Sequence, residues 1–393
     1  MMATPALNKE EAVRERYAEG AKKSEASLCC PTSYDPALLK AIPDEILAID
    51  YGCGDPTKYV KAGDTVLDLG SGSGKNCFLA CQSAGPSGRV IGVDMTEAML
   101  ELAERNAPEV ARRLGYANVE FRKGKIQDLR LNMAEVDAWL AEHPVRTAED
   151  LGKLDSMMNE LRASRPLIAD DSVDVVVSNC VLNLVRPEDK KQLFTEIFRV
   201  LKRGGRAVIS DIVSDEDIPL HLQQNAELWS GCISGAFRED LFLDAFENAG
   251  FYGIEILERQ QEPWRTVEGI EFRSVTVAAY KGKQGECWEH KQAVIYKGPF
   301  RQVVDDDGHV LKRGLRVAVC EKTFSLYSKA PYSDSFALVP PLVPVTKEEA
   351  KPFPCTSGTL LRNPRESKGE DYSLTTDAPA DCCSPGDRKS GCC

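Results

Sequence analysis

Of the 14 cysteines in this 393-residue chain, three stand where the chain must bend. Cys53 lies in "DYGCGDP", Cys180 closes the run "VVVSNC", and Cys232 falls in "LWSGCISGAF". Glycine or small residues flank each of them, whereas a cysteine that merely fills a core sits among large apolar neighbours. Cys29 and Cys30 form a vicinal pair in "SLCCPTSYDP", ahead of a proline. A thiolate is both a nucleophile and a soft ligand, so thiols gathered from distant segments describe a site for a thiophilic substrate. Zinc is the competing reading, but structural zinc sites usually carry closely spaced Cys-x-x-Cys pairs, and these three cysteines are isolated. The four histidines, His143, His221, His290 and His309, leave few candidates for imidazole catalysis. Cys77, Cys81, Cys287, Cys320 and Cys355 read as structural or incidental. Cys382, Cys383, Cys392 and Cys393 read equally as a chelating arm or as a tolerated chain end.

A second constellation concerns a nucleoside. "VLDLGSGSG", residues 66–74, puts Gly70, Gly72 and Gly74 at a strand-to-helix turn, where glycine lets backbone approach a ligand and the helix N-terminus is electropositive. Asp94 closes the next strand, about 20 residues on, where a carboxylate can accept hydrogen bonds from ribose hydroxyls. Asp68, just before the first glycine, suits a ligand bearing an ammonium and would repel a pyrophosphate. S-adenosylmethionine has a ribose, an ammonium and no phosphate.

Positioning these residues requires a sheet. The apolar runs "TVLDLG", "RVIGVD", "NVEFRKG", "SVDVVVSN" and "RAVISDIV" alternate with amphipathic stretches, the rhythm of a doubly wound, mostly parallel α/β sheet. Ligands of such sheets bind outside the carboxyl ends of the strands at the switch in strand order, which places Cys180 beside the cofactor. The expected organisation is N-terminal helices and a cysteine-bearing loop (1–60), a Rossmann-like cofactor domain (61–215) with a helical insertion at about 131–169, a segment around Cys232 with closing strands (216–283), a small β-rich domain with a hairpin at "DDDG" (284–345), and a disordered tail (346–393). "LHLQQNAELWSGCISGAF" is read as one helix.

Composition narrows the partners. With 49 Lys+Arg against 61 Asp+Glu, the net charge of −12 disfavours nucleic acid. No apolar run approaches the ~20 residues of a membrane span, and no secretory leader is visible, so a cytoplasmic location is expected. Structural disulfides are rare in that compartment, which turns the cysteine count toward metal, metalloid or redox chemistry. A monomer is the default expectation.

The hydrophobic–Asp–Leu–Gly–Ser–Gly–Ser–Gly stretch with Asp94 resembles the class I S-adenosylmethionine-dependent methyltransferases over roughly residues 60 to 215. That resemblance implies a carboxylate at Asp68 by the methionine moiety and, after the third strand, Lys125, Ile126 and Gln127 near the adenine. Met95 and Asn179 join the expected cofactor contacts. "DYGCGDP", "VVVSNCVLNLV" and "LWSGCISGAF", in this order around the motif, resemble the arsenite methyltransferase family. The C-terminal "GECWEHKQAVIYKGPF" and "RVAVCEKTF" are similar to the extension of its algal and fungal members. Coverage is about residues 11 to 340.

The resemblance implies arsenic-binding thiols at Cys53, Cys180 and Cys232, and a fourth, redox-active thiol at Cys29 or Cys30. It implies methylation of thiolate-bound trivalent arsenic to mono- and dimethylated products, with arsenite and methylarsenite as substrates and no metal cofactor. A disulfide, with Cys30 and Cys53 as first guess, would return two electrons to arsenic, and thioredoxin or glutathione would reduce it. Thiols acidified by a helix N-terminus or a cation are expected. The alternatives are a methyltransferase of an organic acceptor, with Trp229 as an orienting residue, and a non-catalytic metalloid-binding thiol protein.

Overall fold

The computed structural model describes residues 9–22, 32–49, 51–355 and 358–376. It divides into two compact units, with the boundary after Lys283. Cys29, Cys30 and the four tail cysteines lie outside the described residues.

In the first unit, among the described residues, nine strands form one sheet: β1 (Thr65–Leu69), β2 (Arg89–Asp94), β3 (Val119–Lys123), β4 (Val173–Asn179), β5 (Leu201–Ser214), β6 (Phe237–Arg238), β7 (Tyr252–Arg259), β8 (Arg265–Val267) and β9 (Ile270–Tyr280). The order is β3-β2-β1-β4-β5-β9-β7, with β6 beside β5 and β8 beside β9. The first five strands are parallel, and β9 and β7 continue the sheet antiparallel.

Both faces are covered, which is why the central strands read as continuous apolar runs rather than alternating ones. Val175, Val176 and Val177 are fully buried. On one face the helices Pro187–Val200 and Glu239–Asn248 contribute Phe194, Ile197, Phe242 and Phe246. The Phe194 ring meets Phe246 edge-on at 4.9 Å, a geometry that aromatic quadrupoles favour. On the other face the helices Lys75–Ala84 and Glu97–Leu114 supply Phe78, Leu79, Met99 and Leu102. The order of strands reverses between β1 and β4, so the crevice outside their carboxyl ends is where a ligand belongs.

Residues 131–169 hold the helices Met133–Glu142 and Ala148–Ser164, the first capped by Asn132 and the second by a reciprocal Thr147–Asp150 capping box. The stretch read as one helix around Trp229 is instead two, Leu220–Gln223 and Ala226–Ser230. The break has a local cause: the Asn225 side chain accepts the Leu228 N–H at 3.0 Å, which starts a new helix.

The second unit contains a three-stranded sheet of β11 (Ala293–Tyr296), β14 (Arg316–Ala318) and β15 (Phe336–Val339). It also holds the hairpin β12 (Gln302–Val304) with β13 (Val310–Lys312), and the pair β10 (Trp288–Glu289) with β16 (Lys351–Pro352). Tyr296, Leu311, Val317, Tyr327 and Phe336 form its core. Here the structure corrects the expected disordered tail from residue 346. The ordered chain runs on to 376, with Lys351–Pro352 paired to β10 and a helix at Pro364–Lys368. Proline- and charge-rich composition hid two anchors, the buried Phe353 and Arg362, whose guanidinium grips Glu289 at 2.8 Å.

Candidate active site

A cleft of about 1170 Å³, solvent at its mouth included, lies at the carboxyl ends of β1, β2 and β4; Gly70, Ser71, Gly72, Asp94, Met95, Thr96, Lys125, Ile126, Gln127, Asn179 and Cys180 line it. Backbone conformation explains the glycines: Gly70 and Gly72 have φ of 68° and 50°, a region where side chains are strained. A Cβ on Gly70 would also meet Val181 at 2.3 Å. Asp94 joins the loop to the next helix, accepting the Gly72 N–H at 2.9 Å and the Thr96 N–H at 2.7 Å. Burial raises its carboxyl from the ordinary range, and those backbone N–H groups oppose the rise.

Two expected cofactor residues fall elsewhere. Gly74 does not line the cleft; a Cβ there would strike Phe121 at 2.8 Å, so this glycine serves the close packing of helix on sheet. Asp68 is also outside the lining, with 1 % of its surface exposed beneath the glycine loop. The Cys77 thiol donates to its Oδ2 at 3.2 Å, while Oδ1 has no partner, nor has the buried Ser71 Oγ in the loop itself. Burial pushes Asp68 up to about 7. Two orphaned acceptors at the foot of this cleft fit a ligand that brings N–H donors and positive charge, as the ammonium end of S-adenosylmethionine does.

The thiols meet around Cys180. "YGCG" can press its turn onto the ends of β4 and β5 because its glycines lack side chains. A Cβ on Gly52 would meet Asn179 Nδ2 at 2.5 Å, and one on Gly54 would meet Ser210 Oγ at 2.6 Å. Asn179 then clamps the turn: its Oδ1 accepts the Cys53 and Gly54 N–H groups at 2.8 and 3.2 Å, and its Nδ2 donates to the Gly54 carbonyl at 2.7 Å. Asn179 was expected as a cofactor contact; it does line the cleft, but these polar atoms position Cys53. Ser274 Oγ adds a hydrogen bond to the Cys53 carbonyl at 2.5 Å.

Cys180 follows β4 directly, with its N–H on the Ser210 carbonyl at 2.8 Å. Its side chain packs in one cluster with Cys53 and Cys232, and Cys232 Sγ donates to the Cys180 carbonyl at 3.0 Å. All three are buried and pack with Ile212, Ile233 and Phe272. Cys180 and Cys232 have φ of 64° and 62°, a left-handed conformation that costs a non-glycine residue of order 1–2 kcal/mol. Strain at two thiols of one cluster marks sulfur direction as what the backbone has been bent to supply.

The expected acidification is not found at Cys53 or Cys180. Burial pushes Cys53 up, with the Asp211 carboxylate adding to the rise. Hydrogen bonding with Cys232, then with Cys53, and burial hold Cys180 well above the usual thiol range. Among the described residues no cation contributes at either thiol, and only the Cys180 and Ser274 side chains oppose the rise at Cys53.

Two further residues escaped the sequence reading. Tyr17 lines the cleft and brings its hydroxyl to 4.0 Å from Cys232 Sγ. Asp211, fully buried in β5, accepts the Leu182 N–H, the Asn183 Nδ2 and its neighbour Ile212 N–H at 2.8 to 2.9 Å, which fixes the turn that carries Cys180. Burial pushes it up to about 7. Trp229, the candidate for orienting an organic acceptor, has no exposed surface and donates to the Leu184 carbonyl at 3.3 Å. None of the four histidines lines the cleft.

A parallel sheet ordered 3-2-1-4-5, a glycine turn after β1 and a carboxylate ending β2 define a class I S-adenosylmethionine-dependent methyltransferase. Comparison with known proteins agrees. A methyltransferase domain family matches residues 60–166 and 162–250, and a domain of unknown function matches residues 283–372. Arsenite methyltransferase of Aquipseudomonas alcaligenes is 32% identical over 329 residues, 80% of this chain and 85% of that protein. Its counterpart in Mus musculus is 29% identical over 320 residues, 78% of this chain and 75% of that protein. The crystal structure of an arsenic(III) S-adenosylmethionine methyltransferase from Chlamydomonas reinhardtii superposes with a TM-score of 0.54 at 27% identity, covering 80% of this chain and 99% of that one. The chain belongs to the arsenite methyltransferase family.

Proposed function

We propose that this protein moves the methyl group of S-adenosylmethionine to trivalent arsenic held by Cys53, Cys180 and Cys232. The observation that carries the assignment of these residues is that two further buried thiols, Cys53 and Cys232, pack in one cluster with Cys180, which itself lines the cleft of Asp94 and the glycine loop.

The chemistry suits protonated thiols. Neutral arsenous acid, with three hydroxyl groups, condenses with three thiols to form three As–S bonds and three waters, so no net proton is released. A divalent cation needs its thiols deprotonated and would have to release those protons. Thiols held above their ordinary range therefore favour arsenous acid over zinc at neutral pH.

Three As–S bonds leave arsenic a lone pair. The glycine loop, Asp94, Ile126 and Gln127 hold S-adenosylmethionine, which supplies a methyl carbon activated by a sulfonium. Transfer forms an As–C bond, breaks the S–CH₃ bond and removes no proton, so the absence of histidine from the lining costs nothing. Alignment by the clamped Cys53 turn and the strained Cys180 and Cys232 supplies rate through positioning, for which effective molarities reach ~10⁵–10⁸ M.

Arsenic that has given its lone pair to the methyl group is formally pentavalent. Two thiolates that couple as a disulfide return the two electrons, and thioredoxin or glutathione then reduces that disulfide. One of Cys29 and Cys30, both outside the described residues and with Cys30 the first choice, is the proposed redox partner of Cys53. Repetition gives mono- and then dimethylated arsenic, a detoxifying outcome in the cytoplasm. Described helices include none long and apolar enough to cross a membrane.

The test is to incubate the protein with arsenite, methyl-labelled S-adenosylmethionine and a thiol reductant, and to separate the arsenic species. Labelled mono- and dimethylated arsenic is expected. Bound arsenite with no labelled product would leave only a thiol-binding protein.

A further inference from the structure

The second unit holds a thiol cluster that methyl transfer does not use. Cys287, Cys320 and Cys355 come from segments more than thirty residues apart, yet their sulfur atoms all lie within 4.8 Å of one another. Sulfurs that share one ion through bonds of ~2.3 Å can be at most ~4.6 Å apart, so a small closure completes the site.

Separate devices bring each thiol there. The Cys287 carbonyl accepts the Phe353 N–H at 2.8 Å, and the Cys355 N–H donates to the Phe353 carbonyl at 2.9 Å, so one residue's backbone ties both cysteines together. Cys320 caps the helix Glu321–Tyr327, its sulfur accepting the Thr323 N–H at 3.4 Å. The Phe353 ring packs with Ala318, Cys320 and Cys287. Lys322 donates its ammonium to the Gly285 carbonyl at 3.0 Å, on the Cys287 side of the cluster, where its charge helps lower the Cys287 thiol against the effect of burial. Exposure grades from buried Cys320 through Cys287 to exposed Cys355, which gives an ion a way in and a buried sulfur to rest against.

The donor set selects the ligand. Three sulfurs gather without a histidine or carboxylate in the group. Structural zinc takes four ligands, whereas trivalent arsenic is complete with three thiolates and a lone pair. We propose that Cys287, Cys320 and Cys355 form a second, three-thiolate site for trivalent arsenic; the choice of arsenic among thiophilic ions rests on the function proposed above. Binding is the condensation of arsenous acid with three thiols and the loss of three waters, so it needs no redox partner.

The test counts arsenic on the full chain. The wild-type protein and the variants Cys320→Ser, Cys287→Ser and Cys287→Ser/Cys355→Ser are reduced with a phosphine, titrated with arsenite and desalted, and bound arsenic and zinc are measured per chain. Methylation is assayed on the same samples. Loss of one equivalent of arsenic in each variant, with the methylation rate within ~2-fold of wild type, is expected. Unchanged stoichiometry in the double variant, whose substituted residues reach the surface and whose folding is checked by thermal unfolding, overturns the site. So does zinc retained there against excess arsenite. If the wild type makes no methylated arsenic while the one-equivalent difference persists, the methyltransferase reading falls and this site stands.

Discussion

Asn179→Ala is the sharpest perturbation of the proposed arsenic site, because the side chain it removes touches Cys53 only through backbone. In the folded protein it would leave two N–H groups and one carbonyl of Cys53 and Gly54 without the partners they have at 2.7 to 3.2 Å. A buried group left unpaired costs ~1–3 kcal/mol, so three would cost roughly 3–9 kcal/mol if the turn stayed docked. The turn escapes the upper part of that range by peeling off β4, held then by Ser274, by the Tyr34 hydroxyl, which donates to the Gly54 carbonyl at 3.5 Å, and by its glycine contacts. Undocking that costs ~3 kcal/mol less than in wild type raises the undocked-to-docked ratio by ~10²-fold. Methyl transfer to arsenite should fall by more than ~3-fold and by up to ~10²-fold, and arsenite affinity should fall with it, while S-adenosylmethionine affinity, carried by Asp94 and the glycine loop, changes by less than ~3-fold. Asn179→Asp, which keeps the acceptor but sets a carboxylate against the Gly54 carbonyl, should fall in between. Single-turnover methylation and calorimetry of both ligands measure these quantities. Methylation and arsenite affinity within ~3-fold of wild type in Asn179→Ala would refute the argument. So would an added loss on top of Cys53→Ser, since a clamp acting through Cys53 has nothing left to position.

Three further outcomes are expected. Asp68, pushed up to about 7 in the free protein, must lose its proton to meet an ammonium. S-adenosylmethionine affinity should therefore fall as pH drops below 7, by up to ~10-fold per unit, and Asp68→Asn should flatten that profile. Cys180→Gly removes a left-handed non-glycine residue, so methylation should be lost while stability by denaturant unfolding stays within ~1 kcal/mol, relief of strain offsetting lost packing. Arsenite affinity of the Cys53–Cys180–Cys232 cluster should change less than ~3-fold between pH 6 and 8, while zinc affinity there should climb steeply with pH, as equilibrium titrations of each would read.

Much of this was legible because a few residue types have restricted uses. The glycine turn, Asp94 and the valine run ending at Cys180 each admit few structural interpretations, and together they pointed to Cys180 at the switch point, whereas the placing of Cys53 and Cys232 with it came only from the family resemblance. The rest depended on three dimensions. Gly74 looks like its two companions in sequence, and only the ring of Phe121 on the other side of it reveals a packing role. Asn179 hydrogen-bonds directly to a loop distant in sequence, which no spacing announces. Tyr17 is one residue of an ordinary charged helix, and Asp211 sits in a strand where alternation gives no hint of three converging donors. Thiol acidity was misread because the sequence shows charges but not burial, and burial dominates at Cys53. Cys287, Cys320 and Cys355 looked incidental because the contacts of Phe353 that gather them lie in a stretch whose composition resembles a disordered tail.

The most direct measurement of the central claim is the rate of methyl transfer to arsenite in Cys53→Ser, Cys180→Ser and Cys232→Ser, with S-adenosylmethionine affinity determined on the same preparations. Three-thiolate presentation of arsenic requires that each variant lose transfer while cofactor affinity stays within ~3-fold of wild type. Wild-type transfer in any one of the three would contradict it.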